Sequence, residues 1–240
     1  MGSIVRTAVQ LIYPRRCAIC GEIVKEEDGL IHAICRMKLT FLKEPKCVKC
    51  GKMVDTSEQE YCFDCRKKNY HYIKGFPLLK YDKLMSKSIA DFKYKGKREY
   101  VDFYIEEILR AYQTELKQIR PDVLIPIPVH SSKLRERGFN QAELIAVGLG
   151  KHLDIPVESH LIIRTRKTLP QKELDDKERL KNLEMAFVMN DKANLDNIHK
   201  VVLVDDIYTT GSTIEACTKV LNQYGIKGVY YISVCIGQGF

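Results

Sequence analysis

An apolar stripe between residues 101 and 119 is the clearest periodic pattern in the chain. Apolar side chains recur there at i, i+3, i+4 and i+7: Val101, Tyr104, Ile105, Ile108, Leu109, Tyr112, Leu116 and Ile119. This spacing predicts an amphipathic helix with one face turned to a core. Pro121 should end the helix, because proline has no N–H to donate and its ring clashes with the preceding turn.

The rest of the chain after Lys67 alternates short apolar runs with further helical patterns. Strands are predicted over residues 75–81, 122–129, 161–164, 201–204 and 228–236, and helices over 139–153 and 213–224. Such alternation predicts an α/β domain, residues 68–240, with a mainly parallel sheet and crossover helices. Residues 165–182 are rich in charge and have no clear period, which predicts a mobile loop.

The first 16 residues are predicted to form a short amphipathic helix that docks on the body or on a partner. Arg6 interrupts their apolar stretch and no small-residue cleavage site follows, so the segment does not match a signal peptide. The chain has no apolar run of about 20 residues, the length that spans a bilayer. These features predict a cytoplasmic protein without a membrane span.

Composition and charge narrow the classes of partner. A hydrophobic content of 45% and a charged content of 29% are those of a globular protein, which argues against a disordered or fibrous chain. The formal net charge is +8. A basic surface attracts phosphorylated metabolites, nucleic acid or anionic lipid, although a simple solubilising excess of lysine and arginine is the alternative.

A tandem repeat of metal-binding residues occupies residues 17–67. Eight residues in CxxC or HxxC pairs recur with a shift of 30 positions: Cys17, Cys20, His32 and Cys35, then Cys47, Cys50, Cys62 and Cys65. Two such pairs supply the four ligands of a tetrahedral zinc ion. Gly21 and Gly51 follow the first pair of each unit, where a tight knuckle needs a positive φ.

The spacing leaves two ways to combine the pairs. Sequential pairing gives one site with three cysteines and a histidine and one with four cysteines, whereas a cross-braced arrangement would join equivalent pairs of the two units. Sequential pairing closes shorter loops and is favoured. Either way two structural zinc ions are predicted per chain, because four protein ligands leave no open coordination position. The residues form a small zinc-ribbon-like domain that depends on metal for folding.

A candidate phosphate-binding loop follows the predicted strand 201–204. The paired acids Asp205 and Asp206 come directly after it, then a run of hydroxyls and one glycine before a helix: Thr209, Thr210, Gly211, Ser212 and Thr213. Backbone N–H groups, hydroxyls and the positive end of a helix dipole can converge on a phosphate. The two aspartates could accept hydrogen bonds from vicinal ribose hydroxyls. A capped helix with two solvated aspartates is the structural alternative.

This string resembles the binding motif of the type I phosphoribosyltransferases. The resemblance implies the α/β fold of these enzymes, and phosphoribosyl pyrophosphate with Mg²⁺ as the ligand. It assigns Asp205 and Asp206 to the ribose hydroxyls. It assigns the loop from Thr209 to Thr213 to the 5-phosphate. Together with the cysteine pairs, three further stretches are similar to the ComF family of competence proteins: 92–98 (FKYKGKR), 126–141 (PIPVHSSKLRERGFNQ) and 170–182 (PQKELDDKERLKN). One departure is His32, where that family commonly has cysteine.

The stretch 126–141 also has a physical interpretation of its own. Lys133, Arg135 and Arg137 precede a predicted helix that begins near Gln141, so they could hold a pyrophosphate whose charge Mg²⁺ shares. The same residues could instead bind nucleic-acid phosphates, with Phe139 stacked on a base. Arg179, within the charged segment, could close over the reacting centre or follow a DNA backbone. Simple solvation remains an alternative for both segments.

Two functions follow from the resemblance. The first is a ComF-type factor that handles incoming single-stranded DNA during natural transformation. It would act with the ATPase or helicase of the uptake machinery, through which it could lie peripherally at the membrane. The second is an active phosphoribosyltransferase, although the sequence shows no recognisable pocket for an acceptor. A sensor of the donor metabolite is a third, weaker possibility.

Overall fold

A computed structural model describes residues 14–165 and 185–237. The strands within these residues are β1 (Lys74–Lys80), β2 (Val123–Pro126), β3 (Ile162–Arg164), β4 (Phe187–Met189), β5 (Lys200–Tyr208) and β6 (Gly228–Ile236). The α-helices within them are α1 (Ala33–Met37), α2 (Phe63–Lys67), α3 (Lys83–Tyr94), α4 (Tyr100–Ile119), α5 (Ser131–Arg137), α6 (Gln141–Leu153) and α7 (Ser212–Gln223). The predicted N-terminal helix and most of the predicted mobile loop lie outside the described residues.

A four-stranded parallel sheet forms the body, in the order β1, β6, β5, β2. The prediction of an α/β domain with a mainly parallel sheet is confirmed. Parallel strands place their carboxyl ends at one edge, where ligands bind in open α/β sheets. β3 and β4 form a separate antiparallel pair.

β5 is longer than the strand predicted from the four-residue apolar run 201–204. Its pairing with β6 continues past Val204, with Asp205 opposite Ser233 and Tyr208 opposite Ile236. The acidic pair therefore belongs to the strand itself. Successive strand residues face opposite sides of a sheet, so Asp205 and Asp206 point to different faces.

α3 was not predicted from the sequence, although it carries a residue of the site described below. Its buried positions Met85, Ser88, Ile89 and Phe92 have helical spacing, but the polar Ser88 interrupts the apolar pattern. Asp82 begins the helix by accepting a hydrogen bond from the Met85 N–H at 3.0 Å. The short elements α5 and β4 were also missed.

The two cysteine-rich units pack on opposite faces of the sheet. Side chains of the first unit share a core with α3, α4 and α6, on the face that holds Val202 and Val204. Those of the second unit share a core with α7, β3 and β4, on the face that holds Val201 and Leu203. Neither unit is a detached appendage of the α/β domain. Within 14–165 and 185–237, no helix is both long enough and apolar enough to cross a membrane.

Candidate functional site: two zinc sites and a phosphate-binding cavity

The second cysteine unit has the geometry of a zinc site. The sulfur atoms of Cys47, Cys50, Cys62 and Cys65 all lie within 4.8 Å of one another. Cys50 Sγ and Cys62 Sγ are 3.6 Å apart, close to the edge of about 3.8 Å expected for a tetrahedron with zinc–sulfur bonds of about 2.3 Å. The four thiolates match the softness and geometry of a structural zinc site.

The first unit forms an equivalent site with His32 as the fourth ligand. His32 Nδ1 lies 3.4 Å from Cys20 Sγ and 4.0 Å from Cys35 Sγ. On the other side of the ring, His32 Nε2 lies 3.1 Å from the Ile23 carbonyl oxygen, to which it can donate. This hydrogen bond orients the ring and leaves Nδ1 free to bind metal, a common arrangement for zinc-bound histidine. Sequential pairing is therefore confirmed for both units, and His32 takes the place of a cysteine.

Each zinc knuckle closes with the expected glycine. Gly21 and Gly51 have φ values of 83° and 73°. Their N–H groups donate to the carbonyls of Cys17 and Cys47, both at 2.9 Å. The two knuckles differ in what surrounds them: a Cβ on Gly51 would lie 2.5 Å from Pro77 Cδ, whereas a Cβ on Gly21 would find Tyr100 Oη at 3.9 Å.

A cavity of about 530 Å³ opens at the carboxyl edge of the sheet, between the ends of β2 and β5. The acidic pair, four cations and the start of α6 meet in its wall. The polar and charged residues that line it are Lys93, His130, Lys133, Arg137, Asn140, Gln141, Arg164, Asp205, Asp206 and Thr213. This volume is within the usual range for small-molecule sites.

The two aspartates meet different cations. Lys93, at the end of α3, forms an ion pair with Asp206, and both side chains are largely buried. Asp205 accepts a hydrogen bond from the Asp206 N–H at 2.8 Å and lines the same cavity as Arg164. Burial, and then the charge of Asp206, raise the pKa of Asp205 well above its ordinary range.

The hydroxyl-rich loop turns directly from β5 into α7. Gly211 sits at its tightest point with φ 76°, and a Cβ there would lie 2.2 Å from Tyr208 Oη. The hydroxyls of Thr210 and Ser212 are 2.9 Å apart and hydrogen-bond to each other. Thr213 reaches the cavity wall, while Thr209 and Thr210 are exposed. The loop therefore presents hydroxyls and the N-terminus of α7 beside the cavity, as a phosphate site requires.

The basic residues predicted to bind phosphate, Lys133, Arg135 and Arg137, are divided between the cavity and the outer surface. Lys133 and Arg137 line the cavity. Arg135 is exposed on α5 and is absent from the described lining. Gln141 is 2% exposed, and its Nε2 has no hydrogen-bond partner among the described residues. A buried amide donor without a partner destabilises the fold, so its place in the cavity wall points to a ligand acceptor.

Phe139 does not present a free ring face. It is 7% exposed, packs against Phe92 at 5.7 Å between ring centroids, and is covered by the Arg98 guanidinium 4.6 Å from its centre. Stacking of Phe139 on a base would require Arg98 to move. The exposed aromatic beside the cluster is Tyr94, whose hydroxyl accepts from Arg137 Nη2 at 2.8 Å. Arg179 lies outside the described residues.

Comparison with known proteins agrees with the cysteine geometry. Residues 8–66 match the family model described as "Double zinc ribbon domain". The match covers both four-donor sites and establishes the N-terminal architecture predicted from the repeat.

Three curated relatives align over most of the chain. "Competence protein F" of Haemophilus influenzae is 29% identical over 89% of this chain and 93% of its own length. "Competence protein ComFC" of Bacillus subtilis is 28% identical, with 85% and 82% covered. The chain is a homologue of the ComF competence proteins. "DNA utilization protein YhgH" of Escherichia coli K12 is 27% identical, with 94% and 98% covered.

A solved phosphoribosyltransferase structure aligns with part of the chain. The crystal structure of a purine phosphoribosyltransferase from Pyrococcus horikoshii aligns with a TM-score of 0.34 and 20% identity, over 57% of this ComF homologue and 87% of that chain.

Three of the motifs that suggested ComF converge on the cavity. Segment 92–98 supplies Lys93, segment 126–141 supplies Lys133, Arg137 and Gln141, and the strand and loop from 201 to 213 supply the acids and Thr213. Residues 170–182 lie outside the described residues. Lys93 and Arg164 were not among the residues predicted from the sequence to form the site. Their positions depend on long-range packing, and the sequence signal for Lys93 was its place in a ComF-like motif.

Proposed function

We propose that this ComF homologue binds phosphoribosyl pyrophosphate, or a closely related phosphosugar, in the cavity between β2 and β5, and uses this site in handling single-stranded DNA. The single observation that carries the proposal is the composition of the cavity wall. Paired acids suited to ribose hydroxyls line the same cavity as cations suited to phosphate and a buried amide donor that has no partner among the described residues.

The placement of charges supports a ligand with a neutral polar centre and anionic ends. Asp205 and Asp206 at the end of β5 would accept from ribose hydroxyls. The N-terminus of α7, with Thr209 to Thr213, would receive the 5-phosphate. Lys133 and Arg137 from α5, with the amide of Gln141, would hold the pyrophosphate.

Mg²⁺ would arrive with the ligand. Mg²⁺ in phosphate sites is commonly held by one or two carboxylates together with substrate phosphates and water. The acidic pair fits that pattern, since it offers carboxylate oxygens next to the proposed pyrophosphate position. The ion would neutralise phosphate charge, and Lys93 would have to share or release Asp206 when it binds.

The DNA part of the proposal is supported by the printed names of the relatives and by charge. Two of the relatives named above are competence proteins and the third is a DNA utilization protein. The formal charge of +8 favours a polyanionic partner. We propose an ATPase or helicase of the uptake machinery as the protein partner.

A second candidate is phosphoribosyl transfer to an acceptor, which the intact acidic pair in a cavity lined by cations favours. Release of pyrophosphate from phosphoribosyl pyrophosphate, measured with candidate acceptors and with or without single-stranded DNA, separates the two. Turnover with a small acceptor supports the enzyme. Binding without release supports a ligand-binding role.

Replacing both acids tests the ligand site. The double variant Asp205→Asn/Asp206→Asn should lose at least tenfold in affinity for phosphoribosyl pyrophosphate with Mg²⁺, because two charged acceptors for ribose hydroxyls become neutral. Isothermal titration calorimetry measures this directly. Asp191→Asn, at an exposed position away from the cavity, is the matched control. Parent-like affinity in a double variant that folds normally would refute the assignment.

A further inference from the structure

The segment that leaves the second zinc ribbon contacts the proposed phosphate loop directly. Tyr70 donates its hydroxyl to the backbone carbonyl of Thr210 at 2.7 Å. The next residue, His71, donates its backbone N–H to Glu215 Oε2 at 2.8 Å, and its Nδ1 contacts the other carboxylate oxygen. Glu215 lies in the first turn of α7 and is 3% exposed. Tyr70 and His71, which follow the second zinc ribbon, therefore contact both the loop before α7 and the first turn of α7.

A group of buried tyrosines makes a second connection, from the same loop back to the zinc knuckle. Tyr208, which ends β5, shares a hydrogen bond of 2.8 Å with the hydroxyl of Tyr72. Its ring stacks on Tyr231 with 4.8 Å between centroids. Tyr231 in turn donates to the carbonyl of Cys50 at 2.8 Å. Cys50 is a metal ligand, so one chain of contacts runs from the metal site to the base of the loop.

The knuckle of the second zinc ribbon also contacts the sheet directly. The Gly75 N–H, in β1, donates to the Lys49 carbonyl at 2.8 Å. Gly51 and Gly75 are packed so closely that an added Cβ would meet Pro77 at 2.5 Å and the Tyr231 ring at 2.2 Å. We expect a displacement of the knuckle to be transmitted to β1 and to Tyr231, because close-packed interiors transmit strain.

We propose that the second zinc ribbon is a structural arm of the ligand site, and that Tyr70 is a positioning residue that holds the loop Thr209 to Thr213 in its binding conformation. Zinc at Cys47, Cys50, Cys62 and Cys65 would order the knuckle and the segment 70–72, and through them the loop. Loss of this zinc would loosen the loop although no zinc ligand belongs to it. The consequence for ligand affinity rests on the proposed function, but the effect on the loop does not.

The first zinc ribbon provides an internal comparison, because it contacts other elements. Its Ala18 carbonyl accepts from Ser88 Oγ of α3 at 2.5 Å, and Arg36 forms a bidentate ion pair with Glu107 of α4. In the described structure these contacts lead to α3 and α4, on the opposite face of the sheet from Tyr70 and Tyr231. Loss of the first metal should therefore leave the loop 209–213 nearly unchanged.

Hydrogen exchange in the ligand-free protein tests the role of Tyr70. Tyr70→Phe removes one hydroxyl while keeping the buried ring. Exchange of backbone amides in 209–213 should become about fivefold faster, the factor equivalent to one hydrogen bond of about 1 kcal/mol. Tyr224→Phe, at a half-exposed tyrosine at the end of α7, is the control. Exchange in 209–213 that is the same in both variants and the parent would overturn the proposal.

Removal of one metal at a time tests the arm as a whole. Cys65→Ser and Cys20→Ser alter matched, partly exposed ligands of the second and first sites. Each variant should retain about one zinc by metal analysis, and only Cys65→Ser should accelerate exchange in 209–213. Equal acceleration in both would overturn the proposal. If Cys65→Ser does not fold, the comparison of Tyr70→Phe with Tyr224→Phe decides.

Calorimetry with phosphoribosyl pyrophosphate then separates this inference from the proposed function. If the parent protein does not bind the compound, the proposed ligand is wrong, but the exchange results still judge the structural arm. If it binds, Tyr70→Phe should weaken affinity severalfold, whereas Tyr224→Phe should not. Unchanged affinity in Tyr70→Phe would overturn the inference that ligand binding depends on the loop conformation held by this contact.

Discussion

The ionised form of Asp205 is unfavourable for the stability of the native state. It lies half-buried at the end of β5, and both its burial and the neighbouring Asp206 raise its pKa. Asp206 is compensated by its ion pair with Lys93. An aspartate that destabilises the native state is expected where function requires it. The acidic pair could be predicted from the sequence, because it follows an apolar strand, whereas its unequal electrostatics depend on Lys93, which reaches it from α3.

Replacing this carboxylate should stabilise the protein at neutral pH. Because the pKa of Asp205 is raised in the native state, the native chain binds more protons than the unfolded chain between about pH 3.9 and the native pKa. Stability of the parent therefore falls as pH rises through that window. Asp205→Asn should unfold at a higher denaturant concentration than the parent at pH 8. This difference should shrink as pH is lowered to 5.

Urea titrations with excess zinc at several pH values measure this difference. Asp191→Asn is the control, since an exposed aspartate should give no pH-dependent gain. A variant that is less stable than the parent at pH 8, or a difference independent of pH, would contradict the electrostatic account of Asp205.

The secondary-structure elements show where sequence patterns succeed and where they do not. α4 was predicted to within one residue, because its apolar stripe continues over five turns and the chain meets Pro121 soon after it. The prediction for β5 ended at Val204, because Asp205 and Asp206 are polar, but pairing with β6 carries the strand to Tyr208. α3 escaped prediction because Ser88 replaces an apolar residue on its buried face. That serine bonds to the first zinc ribbon, a long-range contact that no local pattern reveals.

The zinc knuckles allow an element-scale prediction from two equivalent glycines. Gly21→Ala should destabilise the protein by roughly 1–2 kcal/mol, because alanine disfavours a positive φ. Gly51→Ala should cost about 1–3 kcal/mol more, the range for overpacking, because its Cβ would collide with Pro77. Urea unfolding with excess zinc measures both.

Gly225→Ala is the matched control for these two variants. Gly225 has φ 86°, and a Cβ there would meet nothing within 4 Å. Gly225→Ala should lower the free energy of unfolding by about as much as Gly21→Ala does. If Gly51→Ala proves no more costly than Gly225→Ala, the second knuckle is not packed against β1 as the structure has it.

Across the whole molecule, the two zinc ribbons support the sheet from opposite faces, and the cavity opens at its carboxyl edge. The tandem repeat allowed the metal ligands to be predicted from their spacing, and the shorter loops favoured the sequential pairing that the structure shows. It could not reveal that each ribbon joins one of the two cores. The sequence pattern could not reveal the cavity either, because its acids, its cations and Gln141 come from four separate segments between residues 93 and 213, which only the fold brings together.

The distribution of charge around this edge gives a prediction for single-stranded DNA. Lys133 and Arg137 line the cavity, whereas Lys117 lies near the end of α4, which leads to the opposite edge of the sheet. If DNA phosphates bind at the cavity, Lys133→Ala/Arg137→Ala should reduce the slope of log affinity against log salt by about 1.4, or about 0.7 per lost phosphate contact. Lys117→Ala should leave the slope unchanged. Fluorescence anisotropy of a labelled oligonucleotide over a range of salt concentrations measures both. Equal slopes in all three proteins would place the DNA elsewhere on the molecule, and a loss with Lys117→Ala alone would place it at the opposite edge.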